Sequence, residues 1–360
     1  MKLKRLAALL MAAIMTLSFA ACSSQESTES ENTTTENTQQ EENKETTEEN
    51  KETEEEPEVE EEPAEKVTIN IAALKGPTSL GMLQIMENDA AGTAANDYEF
   101  LLAGAADEIV GKVVAGELDI AAVPTNVGAT LYNKTQGAVQ LAALNTLGVL
   151  YIVENGETIQ SIEDLAGKSI VATGQGSTPE YALNMILEKN GLLDSVTVEY
   201  KSEHSEVPPM LLSGQASIAM LPQPFVTSVL TQNENIRVAL DVTEEWNKAV
   251  NGESNLTMGC VIVRKEFAEN NPEALSAFLD EYKASVEFTN SNPAEAAAIS
   301  EKFDIIKAAV ATKAIPECNI VFIEGDEMQK IASGCLQVLF DANPKSVGGT
   351  LPDEAFYYKR

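Results

Sequence analysis

The chain has 360 residues, a formal net charge of −33 at pH 7, one histidine and four cysteines. So acidic a chain lacks the basic footprint that nucleic-acid binding requires, and a single histidine with scattered cysteines fits no zinc spacing. Neither a nucleic-acid partner nor a metal or other cofactor is expected, and the length after the leader leaves room for about two domains.

Met1–Ala21 carries Lys2, Lys4 and Arg5, then an apolar run from Leu6 to about Ala20. That is the layout of an export signal rather than of a spanning or core helix. The small residues before Cys22 resemble the lipobox of bacterial lipoproteins, with Phe19 standing where that pattern usually has Leu. The resemblance implies a lipidated Cys22 that anchors the chain to the outer face of the cytoplasmic membrane without spanning it. A plain secretory signal with an incidental cysteine is the alternative.

Residues 22–66 form the next unit. Ser23–Lys66 holds 18 Glu, three Lys and almost nothing apolar, a composition that cannot bury a core, so it reads as a disordered acidic tether. Its contour limit is on the order of 150 Å. Val67–Arg360 keeps a net charge of −21 and contains no apolar stretch of the roughly 20 residues needed to cross a bilayer. Its three cysteines, Cys260, Cys318 and Cys335, read as small buried apolar residues, with a Cys318 to Cys335 disulfide as the alternative.

The body opens with Val67–Leu74, an alternating then wholly apolar run that predicts a buried parallel strand. It breaks at Lys75, Gly76, Pro77, Thr78 and Ser79, and apolar residues at helical spacing follow from Leu80. The same pattern returns about 100 residues later. Ser169–Thr173 reads as a strand, Gly174 and Gly176 as a tight loop, and Ser177 or Thr178 as the N-cap of a helix with Pro179 and Glu180 in its first turn. Backbone N–H groups at such a turn suit a carboxylate, sulfonate or phosphate group.

A second correspondence supports the first. Glu108–Asn126 aligns without a gap on Glu206–Pro224 at an offset of 98, with Glu, Gly, Ile, Ala and Pro coinciding at Glu108/Glu206, Gly116/Gly214, Ile120/Ile218, Ala121/Ala219 and Pro124/Pro222. Each copy predicts a helix that ends on a glycine C-cap, a short buried strand and a proline-led loop. Two related halves built of alternating strands and helices imply parallel α/β sheets, with ligands collecting at the carboxyl ends of the strands. The qualifying loops are Lys75–Ser79, Pro124–Asn126, Gly174–Glu180 and Pro222–Phe225. Val149–Val153 and Cys260–Val263 read as crossings between the halves. That gives a discontinuous first lobe, residues 67–153 plus 261–360, and a second lobe, residues 154–260. Beyond Phe267 the chain reads helical, with apolar stripes that belong to the core.

With these residues in place, the lipobox, the Lys75–Ser79 loop, the turn from Val123 to Asn126, Gly174–Glu180 and the segment Leu221–Phe225 together resemble the substrate-binding lipoproteins of bacterial ABC importers. The resemblance lies with the nitrate, sulfonate and taurine group, which also includes binders of thiamine pyrimidine precursors. It implies an α/β, type II periplasmic-binding-protein fold of two Rossmann-like lobes around a central ligand cleft, joined by a two-strand hinge. It also implies a monomer that captures a small molecule and hands it to a permease and its ATPase. The ligand contacts it implies are Lys75, Gly76, Pro77, Thr78, Ser79, Thr125, Asn126, Gly176, Ser177, Thr178, Pro222, Gln223 and Phe225. Members of the group often have Glu where this chain has Gln223, so a contact there would be a neutral amide.

Two helix N-termini and Lys75 favour an anionic or zwitterionic group. An aromatic precursor would need stacking partners, for which Tyr132, Tyr151 and Trp246, with Phe225, are the candidates; Asn126, Asn145 and Gln223 are the neutral groups able to read a polar head. His204 sits in the polar stretch Lys201–Ser205 with no nucleophile at a telling spacing, so it reads as a surface residue and catalysis is not expected. A ligand-sensing lipoprotein that feeds no transporter is the remaining reading from a different class.

Overall fold

The computed structural model describes residues Lys66–Arg360; the export signal, Cys22 and the acidic run up to Glu65 lie outside the described residues. The chain begins in one sheet with β1 (Thr68–Leu74), β2 (Asp97–Ala103), β3 (Ile120–Pro124) and β4 (Val139–Leu147). It moves to a second sheet for β5 (Leu150–Asn155), β6 (Ser169–Thr173), β7 (Thr197–Lys201), β8 (Ile218–Pro222) and β9 (Ile236–Asp241), then returns for β10 (Thr257–Arg264) and β11 (Ile320–Ile323). The first sheet has the order β11-β4-β10-β3-β1-β2 and the second β7-β6-β8-β5-β9.

The predicted internal repeat is visible in these orders. In each sheet three parallel strands lie side by side, β2-β1-β3 and β7-β6-β8. Residues at offsets of 100 and 99 hold equivalent pairings, Ile71 opposite Ile120 and Val171 opposite Ala219. The sheets are not wholly parallel, however. β10 runs antiparallel between β3 and β4, and β5 runs antiparallel between β8 and β9. These are the two segments expected as crossings. Each arrives from the other sheet and therefore enters against the grain of the parallel trio. The chain leaves the first sheet after Leu147 and rejoins it at Thr257, so boundaries at residues 153/154 and 260/261 would cut through β5 and β10.

Helices cover both faces. In the first lobe the short α1 (Pro77–Leu80) and α2 (Leu83–Ala90) follow β1, α3 (Ala106–Ala115) follows β2, and α4 (Thr125–Lys134) follows β3. In the second, α5 (Thr178–Lys189), α6 (Val207–Leu212) and α7 (Phe225–Gln232) follow β6, β7 and β8, and α8 (Val242–Ala249) precedes the return. The C-terminal part adds α9 (Lys265–Asn270), α10 (Pro272–Ser291), α11 (Pro293–Lys302), α12 (Ala308–Ala314) and α13 (Gly325–Ala342). Alternation along β1 divides the packing: Ile69, Ile71 and Ala73 face the core beneath α2 and α10, whereas Ala72 and Leu74 join a larger core that also includes α5, α8 and α13. A strand buried on both faces must be apolar throughout, which is why Val67–Leu74 loses its alternation.

The expected glycine caps are present. Gly116 and Gly214 both end their helices with φ of 75°, a backbone region that costs residues with a Cβ. Cys260, Cys318 and Cys335 are free and buried, with burial raising their thiol pKa values. Among the described residues no helix is long and apolar enough to cross a membrane.

Candidate functional site

A cavity of ≈ 70 Å³ lies between the two sheets. Its walls come from the segment after every one of the six parallel strands: Leu74–Thr78 after β1, Gly104–Ala106 after β2 and Pro124 at the end of β3. From the second lobe come Gly174, Ser177 and Pro179 after β6, Ser202 and His204 after β7, and Pro222 at the end of β8. Thr146, Val149, Leu150 and Met258, at the two passages between the sheets, complete the enclosure. Parallel strands all deliver their carboxyl ends to one edge, and two such edges facing each other make a cleft.

The loop after β1 is held from behind. Lys75 N–H donates to Ala103 O at 2.9 Å. The Ser79 hydroxyl donates to Gly76 O at 3.0 Å and the Thr78 hydroxyl to Leu74 O at 3.3 Å. The buried Asn145 donates through Nδ2 to Thr78 O at 3.3 Å, so it supports the loop and does not line the cavity. Lys75 lines the cavity and its Nζ pairs with the exposed Asp304 at 3.1 Å, a contact that lowers the Asp304 carboxyl pKa.

The loop after β6 departs from expectation. The sequence predicts N–H donors pointing out of its turn, but Gly176 N–H donates to the chain's own Glu180 Oε2 at 2.5 Å, and the Ser177 hydroxyl donates to Gly174 O at 2.7 Å. A carboxylate three residues into a helix is drawn to the same positive helix end as a ligand anion would be, and here it arrives first. The other expected N-terminus, α1, is a single turn closed by Ser79. The pairing of two helix ends around an anion is therefore much reduced.

Asn126 and Thr178, both named as ligand contacts, are bonded to each other. Thr178 Oγ1 donates to Asn126 Oδ1 at 3.0 Å across the gap between the lobes, while Asn126 Nδ2 donates to Ser346 O at 2.8 Å and Gly176 O at 3.4 Å. Both are fully buried. With its amide saturated, Asn126 is a clasp between α4, the N-terminus of α5 and the C-terminal segment.

The remaining candidates divide clearly. Lys75, Gly76, Pro77, Thr78, Ser177 and Pro222 line the cavity; Ser79, Thr125, Asn126, Gly176, Thr178, Gln223 and Phe225 do not. Gln223 Oε1 accepts from Thr227 N and Oγ1 at 3.1 and 2.8 Å, capping α7. Thr125 is buried with an unpartnered hydroxyl.

None of the three proposed aromatic walls lines the cavity. Trp246 is fully buried and donates from Nε1 to Ser254 O at 3.1 Å. Tyr132 packs on Phe356 with centroids 5.2 Å apart and donates to Asp353 Oδ1 at 2.5 Å. Tyr151 lies in β5, its phenol pushed up to about 12 by burial.

His204 corrects the sequence reading most. Expected at the surface, it lines the cavity, with its ring 5.4 Å from that of Phe225 and Nδ1 2.5 Å from Thr173 Oγ1. Burial holds its imidazole down at about 4, so the ring is uncharged at neutral pH.

The segments carrying His204 and Gly104–Ala106 were both missed, yet a signal for them existed. The offset of 98 runs upstream of Glu108/Glu206 to pair Gly104 with Ser202 and Ala106 with His204. The two turns are built alike: Ala105 N–H donates to Glu108 Oε1 at 3.1 Å and Glu203 N–H to Glu206 Oε1 at 2.8 Å. The repeated glutamate is a helix-start cap, and the residues before it form the wall.

Solved structures share this architecture. An ABC transporter protein from Parabacteroides distasonis superposes with a TM-score of 0.68 at 22% identity, over 82% of this chain and 100% of that chain. The alkanesulfonate-binding protein SsuA from Xanthomonas axonopodis pv. citri, bound to MOPS, gives 0.63 at 15% identity, over 81% and 96%. The periplasmic nitrate-binding protein NrtA from Synechocystis PCC 6803 gives 0.53 at 13%, over 67% of each chain. At these identities the likeness is one of fold, the type II periplasmic-binding arrangement of two α/β lobes about a cleft. No curated protein matches the chain. The family model described as NMT1/THI5 like matches residues 113–296, more than half of the chain, reaching from α3 through the whole second sheet to α11, and the chain belongs to that family.

Proposed function

We propose that the chain is the extracytoplasmic solute-binding component of an ABC-type importer, which closes two lobes on a small polar organic molecule and delivers it to a permease and its ATPase. The observation that carries this reading is the cavity enclosed by the loops of all six parallel strands, three from each lobe. Two passages of chain join the lobes, an arrangement suited to hinge closure, and the sulfonate- and nitrate-binding proteins of the same fold support the role. On this reading Cys22 carries the lipid anchor and the acidic run is the tether.

The wall chemistry favours a compact molecule with an anionic or zwitterionic head. Lys75 is the one formal cation on the cavity wall among the described residues; hydroxyls of Thr78, Thr146, Ser177 and Ser202 flank an otherwise small or apolar surface. Among the described residues a larger aromatic precursor finds one aromatic ring on the cavity wall to stack on, that of His204, because Tyr132, Tyr151 and Trp246 do not line it. A thermal-shift panel of short alkanesulfonates, taurine, nitrate, bicarbonate, thiamine and its pyrimidine tests the assignment. A true ligand at about 100 times its dissociation constant adds roughly 2.7 kcal/mol, and Lys75→Met should erase that gain for an anion. Stabilisation by the pyrimidine alone would replace the anionic assignment, and no stabilisation by these or a broad metabolite panel would sink the receptor reading.

A further inference from the structure

The two lobes meet the cavity with equivalent turns that differ in what they carry. On the first lobe Gly104 and Ala106 bring no polar side chain to the wall; on the second the matched positions are Ser202 and His204. The imidazole is thus the largest polar group that the second lobe turns toward the cavity. Its orientation is fixed at Nδ1, which lies 2.5 Å from Thr173 Oγ1 at the end of β6, while Nε2 has no hydrogen-bond partner among the described residues.

We propose that Thr173 is a positioning residue that decides which ring nitrogen of His204 carries the proton, so that Nε2–H is the donor at the cavity wall and the ligand must present an acceptor oxygen there. The argument is one of proton placement. Thr173 is 2% exposed and its hydroxyl has no other partner among the described residues. If Nδ1 carried the proton it would donate to Thr173 Oγ1, and the buried hydroxyl proton would have no acceptor. With the proton on Nε2, the hydroxyl donates to Nδ1, and every buried proton in the pair is placed. A metal ligand is held by its second-sphere partner through the same logic. The result is an uncharged donor on the second lobe of a cavity whose first-lobe wall carries Lys75. Both select carboxylate, sulfonate or carbonyl oxygen, and both disfavour a ligand that places an amine or amide N–H at that point. The inference deepens the receptor reading and rests on the cavity being the ligand site.

Because the chain contains one histidine, long-range ¹H–¹⁵N spectra of the full-length protein show a single imidazole. The expected result without ligand is the Nε2–H tautomer. Thr173→Val should convert it to a mixture and Thr173→Ser should restore it, with all three proteins keeping their unfolding midpoints within a few degrees. Methanesulfonate, an acceptor-only probe, should then move the Nε2 resonance saturably, with affinity weakened about 5- to 10-fold in Thr173→Val and recovered in Thr173→Ser; methylammonium should not move it. An Nδ1–H tautomer in the natural protein, or a tautomer indifferent to Thr173→Val, overturns the proposal. So does methanesulfonate that stabilises the fold while leaving the imidazole unmoved, an outcome that would keep the receptor reading and reject only this role. The tautomer measurement needs no ligand, so it stands even if the thermal-shift panel fails.

Discussion

Gly259 has no space for a side chain. A Cβ built there would collide with Asn145 Oδ1 and come within 2.8 Å of Thr78 Cγ2. Gly259→Ala must therefore push on the loop that carries Lys75, and overpacking of this kind costs about 1–3 kcal/mol. Denaturant unfolding should show the loss and titration calorimetry a weaker ligand; a variant unchanged in both would mean that the loop yields freely. His204 gives a second prediction at this scale. Its folded pKa of about 4 lies below the ordinary 6.5. Above pH 6.5 both states are uncharged and the group has no effect. Between 6.5 and 4 the unfolded chain binds a proton that the folded protein refuses, so stability falls as pH drops, and below 4 the penalty levels off. Subtracting the unfolding free energy of His204→Phe from that of the natural protein should expose this limb between pH 6.5 and 4. A difference independent of pH would contradict the half-buried, uncharged ring.

At the scale of elements, the clasp at Asn126 joins α4 of the first lobe to the α5 start of the second and to the C-terminal segment. Two of its three bonds exist only while the lobes are together. Asn126→Ala leaves Ser346 O and the Thr178 hydroxyl without their partner, at a cost of about 1–3 kcal/mol. Part of that cost should fall on the closed form alone. The expected signature is weaker ligand binding together with a larger ligand-dependent drop in radius of gyration by small-angle scattering, because the unliganded protein starts more open. Unchanged affinity and unchanged dimensions would mean that the clasp serves only local packing.

For the whole molecule, charge and site oppose each other. The body carries −21, whereas the wall of the cavity offers Lys75 and neutral donors. Distant like charge slows an approaching anion and is screened by salt, over about 10 Å at 0.1 M. The association rate of an anionic ligand, followed by stopped flow, should therefore rise with ionic strength while the dissociation rate changes little. A rate that falls with salt would show that local attraction by Lys75 governs the encounter.

The sequence by itself determined what is local. The apolar run of β1, the strand, loop and helix of Ser169–Lys189 and the paired glycine caps at Gly116 and Gly214 are all decided within a turn or two of chain, and the duplication that makes two lobes shows as their recurrence about 100 residues on. Periodicity and capping report them directly. Only the tertiary structure decided the rest. β5 and β10 lie antiparallel because each inserts beside strands distant in sequence. Asn126 and Thr178 saturate one another, and Trp246 and Tyr132 pack inward. His204 reaches the cavity because β7 ends beside β6. Each of these depends on which groups from separate segments come within about 3 Å, and hydrogen-bonding capacity spent within the protein is no longer available to a ligand. Residue type and spacing name the groups able to bind; only packing shows which of them remain free.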